Sequence, residues 1–180
     1  MLVVNIEQIR DRGISLAGDV PVDQLPELGK LDPRDGLFLG PVKVDLRLEV
    51  AGGMILLRGH LGAAIEQPCS RCLNDFILTL DVEFSLAFEQ RNDENMEVTE
   101  EDLELSAEEL GVVRFDGDTL NLADAIGEQL MLALPYRPLC SEQCEGLCSR
   151  CGADLNQGPC GCQPDDKENP FAVLKNLRID

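Results

Sequence analysis

Eight cysteines fall in four close pairs along the 180-residue chain. Cys69 and Cys72 stand alone in the middle, whereas Cys140 with Cys144, Cys148 with Cys151, and Cys160 with Cys162 gather further on. Two cysteines a few residues apart can turn their sulfurs to one point, and four thiolates close a tetrahedral cage around a metal ion. Cys148-Ser149-Arg150-Cys151 is followed, after eight intervening residues, by Cys160-Gly161-Cys162. That run is compact enough to form a local site, so Cys148, Cys151, Cys160 and Cys162 are assigned to one ion. Cys69, Cys72, Cys140 and Cys144 then make the second site, across a long loop. Loop length is a small objection, because each doubling costs only about 0.6 kcal/mol in closure entropy. Structural zinc contributes about 10–16 kcal/mol in apparent terms.

The predicted cofactor is Zn2+ in two structural sites. An iron–sulfur cluster takes the same four sulfurs, and tetrahedral all-sulfur geometry does not separate iron from zinc, so it stays as the alternative. With every position filled by sulfur, neither site keeps the open place that a catalytic water needs. Backbone N–H groups in each Cys-x-x-Cys turn can point at sulfur and share its negative charge. Gly152, just after one turn, can take the left-handed conformation such a turn requires.

Other chemistry has little support. His60 is the single histidine and lies in a strand with no partner legible from sequence. No glycine-rich phosphate loop precedes a helix, and no serine occupies a nucleophile elbow. The expectation is therefore a protein that is not an enzyme, with no catalytic residues and no small-molecule substrate.

The elements that must hold the cysteines are mostly strands. Val42, Val44, Leu46, Leu48 and Val50 alternate with charged residues, the period of a strand with one wet face. Gly52-Gly53 supplies a hairpin turn. A return strand carries Ile55, Leu57, Leu61 and Ile65 on one side up to Pro68, and a third runs from Phe76 to Phe88 beyond the first cysteine pair. Shorter strands are predicted at Leu2–Ile6, Ile14–Gly18 and Val112–Phe115. A helix capped by Asn121 and stopped by Pro135 carries Leu122, Ala125, Ile126, Leu130 and Ala133 at helical spacing. A short last helix starts at Asn169-Pro170. The predicted fold is α+β: an antiparallel sheet that could curl into a barrel, one packed helix and a C-terminal zinc knuckle. The predicted organisation is a body over 1–138, with an acidic excursion at 89–110, and a Cys-rich zinc-binding tail over 139–180.

Thirty-four acidic residues oppose fifteen basic ones, a net charge of -19. Such a surface repels phosphate and suits basic protein partners. Ten of the carboxylates fall between Glu89 and Glu109, with Arg91 as the one base. No apolar run is long enough for a membrane span, and the first residues lack a signal peptide's basic start, so a cytoplasmic protein with reduced thiols is expected.

Three elements occur in order: Cys69-Ser-Arg-Cys72 in the sheet, Leu122-Ala-Asp through Ala133-Leu-Pro135 with cysteines soon after, and Asn169-Pro-Phe-Ala-Val-Leu174 near the end. Together they resemble the YceD family, named for large ribosomal RNA subunit accumulation. The resemblance implies a bacterial cytosolic accessory factor for 23S rRNA accumulation, with no catalytic residues attached. Its partner is expected to be a basic ribosomal protein or rRNA maturation factor, with any rRNA contact indirect or limited. From another class, paired cysteines that release zinc on oxidation would suit a redox-responsive zinc chaperone.

Overall fold

Long alternating runs become long strands. The computed structural model describes residues 2–32, 36–91 and 112–162. At its centre lie β4 (Val42–Ala51), β5 (Met54–Pro68) and β6 (Asp75–Gln90). Around them run β1 (Val3–Asn5), α1 (Ile6–Arg12), β2 (Ile14–Val20) and β3 (Leu37–Phe38), then β7 (Val112–Phe115), β8 (Thr119–Asn121) and α2 (Ala123–Ala133). The main sheet has the order β2-β4-β5-β6-β7, with β3 pairing β5 beyond the end of β4. All pairings are antiparallel except β6 with β7, which is parallel. A separate ribbon joins β1 to β8.

The β4–β5 hairpin turns on Gly52 and Gly53, at φ 61° and 85°, with Ala51 opposite Met54. Two successive left-handed residues match the twist of the flanking strands. Val42, Val44, Leu46 and Leu48 of β4 are buried, as are Ile55, Leu57, Leu61 and Ile65 of β5, while Lys43, Asp45, Arg47, Arg58 and His60 face water. Each such apolar side chain contributes about 1.5–3 kcal/mol when fully buried. Gly59 sits between Leu46 and Phe84 in register, and a Cβ there would lie 2.3 Å from the Phe84 ring. The aromatic ring fills the space that the glycine leaves.

The sheet is open, not a barrel: β2 and β7 form its two ends and do not pair. Its apolar face is covered by other elements instead of by its own curvature. Ile6 and Ile9 of α1, Leu25 and Leu28 of the following 3-10 turns, and Ala125, Ile126 and Leu130 of α2 join one core cluster with the strands. Gly127 lets α2 approach the chain at Glu27, where a Cβ would lie 2.7 Å from that residue's Cβ.

Helix α1 is not anticipated by the sequence reading, which runs a strand to Ile6. Its cause is local: the Asn5 side chain accepts a hydrogen bond from Glu7 N at 2.8 Å and caps a helix that buries Ile6 and Ile9. Helix α2 follows the expected pattern, with Asn121 Oδ1 accepting from Ala123 N at 3.1 Å. Glu89 and Gln90, expected in the acidic excursion, belong to β6. The remainder of that excursion from 92 on and the helix expected at Asn169-Pro170 lie outside the described residues. Among the described residues no helix is long and apolar enough to cross a membrane.

Candidate metal centres

The eight cysteines assemble as two quartets. Cys69, Cys72, Cys140 and Cys144 form one, and Cys148, Cys151, Cys160 and Cys162 the other; within each, all sulfurs lie within 4.8 Å of one another. In the first quartet Cys69 Sγ is 3.8 Å from Cys144 Sγ, and Cys72 Sγ is 3.7 Å from Cys140 Sγ. Four sulfurs at about 2.3 Å from a central ion would stand about 3.8 Å apart. These separations are far beyond a disulfide bond. The donor set, four soft thiolates with no fifth ligand in the group, fits zinc or iron, and each quartet could hold one ion.

The connection between β5 and β6 presents the first pair. Pro68 ends β5, and the turn closes through Cys69 N to Asn74 O at 2.9 Å and Leu73 N to Cys69 O at 2.9 Å. Leu73 takes φ 60° to do so. Arg71 N donates to Cys69 Sγ at 3.5 Å. Cys140 and Cys144 arrive after α2 on a segment anchored by Ser70 N to Pro138 O at 2.8 Å. The Arg71 guanidinium binds that segment, with Nη1 donating to Glu142 O at 3.1 Å and to Cys144 O at 2.9 Å. Its role is thus to clamp two backbone turns together as much as to offset thiolate charge. Gly146, at φ 75°, passes so close that a Cβ would lie 3.1 Å from Arg71 O.

Cys69, Cys72 and Cys144 are buried, packed by Phe76, Leu139 and Leu147, whereas Cys140 is exposed. Burial pushes the Cys69 thiol up, but N–H groups of Cys140, Cys72 and Arg71 outweigh it and bring the thiol down to about 6. Desolvation, and then the neighbouring thiols, push Cys140 up to about 12. Four sulfurs this close resist ionising together unless a cation joins them.

The second quartet is local and more open. Cys148 N donates to Ala153 O at 2.8 Å, Gly152 N to Cys148 O at 2.9 Å, and Gly152 takes φ 71°. Cys151 and Cys162 are exposed, and Cys148 and Cys160 are half-buried. N–H groups of Cys151 and Arg150 bring the Cys148 thiol down to about 6, while side-chain hydrogen bonds of Cys162 with Cys151 and Cys160 push it up to about 12.

Three residues not singled out by sequence surround these sulfurs. Asn156 Nδ2 donates to Cys144 Sγ at 3.4 Å, and Asn156 Oδ1 accepts from Glu145 N at 2.8 Å. Asp154 accepts from Asn156 N at 3.0 Å and from Asn74 Nδ2 at 2.8 Å, and the Asn156 backbone bond leads the causes that hold its carboxyl below the usual range. Asp154 caps the 3-10 turn over Leu155–Gln157, and Asn156 lies within it. His60 acquires a partner that the sequence did not reveal, Asp81, on the wet face of the sheet.

An uncharacterized protein of Mycobacterium tuberculosis is 32% identical over 116 residues, 64% of this chain and 52% of its own length. The chain thus spans about half the length of these mycobacterial relatives. The large ribosomal RNA subunit accumulation protein YceD of Haemophilus influenzae is 25% identical over 128 residues, 69% of this chain and 66% of that protein. A chloroplastic YCED homolog of Arabidopsis thaliana is 30% identical over 59 residues, 33% of this chain and 18% of its own length. No solved structure matches. Residues 57–178, which include most of β5, the Cys69–Cys72 turn and both quartets, match the family described as large ribosomal RNA subunit accumulation protein YceD, and the chain belongs to that family.

Proposed function

We propose that this protein is a non-enzymatic accessory factor for 23S rRNA accumulation and large ribosomal subunit biogenesis, acting in the cytoplasm as an acidic, zinc-stabilised scaffold. The family match over residues 57–178 carries the reading. Two tetrathiolate cages without an open ligand position support a structural use of metal. A net charge of -19 favours a basic ribosomal protein or rRNA maturation factor as the partner and disfavours direct grip on phosphate. Capture from lysate tests this. The expected catch is a basic ribosomal or maturation protein, released by salt, with rRNA retained only through it. Tight binding of purified 23S rRNA, steeply salt-dependent and with no protein intermediary, sinks the reading.

Exposure of Cys151 and Cys162 favours one second reading, a redox-responsive chaperone. Hydrogen peroxide would take two electrons from a thiolate pair, forming a disulfide and water and releasing zinc. Peroxide treatment that frees zinc without any gain in suppressing aggregation of an unfolded client removes it.

A further inference from the structure

The eight residues between Cys151 and Cys160 close the second quartet, yet their side chains reach the first. Asn156 donates to Cys144 Sγ at 3.4 Å while its own carbonyl oxygen holds Glu145 N, the residue after that ligand, at 2.8 Å. Asp154 orients Asn156 through Oδ1, which accepts from Asn156 Nδ2 at 2.7 Å, and grips the other side of the first quartet through Asn74 Nδ2 at 2.8 Å. Asn74 in turn closes the Cys69 turn by accepting Cys69 N at 2.9 Å. Backbone bonds run in parallel: Leu155 N donates to Gly146 O at 2.9 Å, and Leu147 bridges Asp154. One loop is thus both the span of one cage and the outer shell of the other.

We propose that the two centres are energetically coupled through Asp154 and Asn156, so that filling the second quartet slows metal release from the first. The inference rests on the reading that each quartet holds an ion. Without an ion at Cys148, Cys151, Cys160 and Cys162, the loop's two ends are untied, and the entropy of placing Asn156 against Cys144 must be met by the first centre alone. With the ion bound, that cost is already met. Coupling of this kind is reciprocal, so an ion in the first centre also raises affinity in the second. Asn156 is a positioning residue: its N–H shares the thiolate charge of Cys144, as outer-shell donors do.

The test uses the full chain loaded with cadmium, in which each tetrathiolate centre gives its own NMR resonance, with release driven by excess chelator. Two ions per chain are expected for the parent. Asn156→Asp keeps the oxygen that holds Glu145 but replaces the donor facing Cys144 with a negative charge. It should shift the first centre's resonance and speed its release about tenfold, with two ions still bound. Cys160→Ser with Cys162→Ser empties the second centre and should speed release from the first by a similar factor, while the far-ultraviolet signal of the sheet is unchanged. Two ions in the parent together with unchanged first-centre release when Cys160 and Cys162 are replaced overturns the coupling alone, whatever the effect of Asn156→Asp. Fewer than two ions in the parent overturns the two-centre reading as well.

Discussion

Cys69-Ser70-Arg71-Cys72 and Cys148-Ser149-Arg150-Cys151 are the same four residues in two settings. Both close through the same bond, from the N–H of the residue after the second cysteine to the carbonyl of the first, at 2.9 Å in each. Both place that following residue in the left-handed region, Leu73 at φ 60° and Gly152 at φ 71°. Both lower their first thiol to about 6. What differs is everything the tetrapeptide does not encode. The first turn joins two strands of 15 and 16 residues and draws its remaining ligands from beyond α2. The second draws them from its own neighbourhood and leaves Cys151 and Cys162 in solvent. Knuckle shape is thus a local property, whereas burial and leverage over the fold come from the elements on either side.

Metal removal should separate the two most sharply. Cys144→Ser breaks the first cage and with it the tie between the sheet and residues 139–147. Stability should fall by about 5 kcal/mol or more, with amide protection lost over that segment before the strands exchange. Cys162→Ser should lose one ion and change the sheet's unfolding by about 1–2 kcal/mol at most. Equal losses in denaturant titrations of the two variants would break the distinction between a long-range and a local centre.

Arg71 sharpens it next. Two carbonyls of the opposite turn accept from its Nη1, so Arg71→Ala should cost about 1–2 kcal/mol and hasten metal release from the first centre only. Arg71→Lys, a point charge without the planar fork, should recover less than half of this. Recovery of parent behaviour by lysine would mean that charge, not the clamp, is what Arg71 supplies.

Much of this was legible because it is written in short-range patterns. The period-two runs of β4, β5 and β6 face one side to water and one to the core, so alternation alone reveals them. Cysteine spacing suggested the same two quartets that the backbone assembles. The curl into a barrel failed because closure depends on what covers the apolar face, and Leu25, Leu28 and Ile9 do so from segments with no strong periodicity. Helix α1 is seven residues long, too short for its two buried isoleucines to stand out from a strand. Asn74, Asp154 and Asn156 were illegible for another reason. Polar residues in turns are common, and only the fold brings Asn156 against the Cys144 sulfur and links it through Asp154 to Asn74.

The residue after each knuckle gives a finer comparison. A left-handed backbone costs a side-chain-bearing residue about 1–2 kcal/mol, which glycine escapes. Leu73 bears that cost while 65% exposed, so it recovers little by packing. Leu73→Gly should stabilise the protein by about 0.5–1 kcal/mol, the gain being reduced by the greater freedom of glycine in the unfolded chain. Gly152→Leu meets open space but acquires the strain, and should weaken the second centre by a similar amount. Chemical denaturation of the two variants checks the sign; a destabilised Leu73→Gly would show that its side chain holds something the turn alone does not need.

The smallest effect concerns reactivity without stability. Backbone N–H groups lower both first thiols, Cys69 and Cys148, to about 6, below the ordinary thiol range. A depressed folded value stabilises the folded chain fully above the unfolded value, about 8.5, and the contribution is lost as pH falls through about 6. Ionisation is therefore matched between the two turns, and access is not: Cys69 is 0% exposed and Cys148 half-buried. Brief iodoacetamide treatment at pH 7 should alkylate Cys148 well before Cys69, with the Cys148 rate falling by half near pH 6. Mass spectrometry of the metal-free protein reads both. Equal rates at the two sites would mean that burial at the β5–β6 turn depends on the ion, and that the first centre's protection comes from metal instead of from the sheet beneath it.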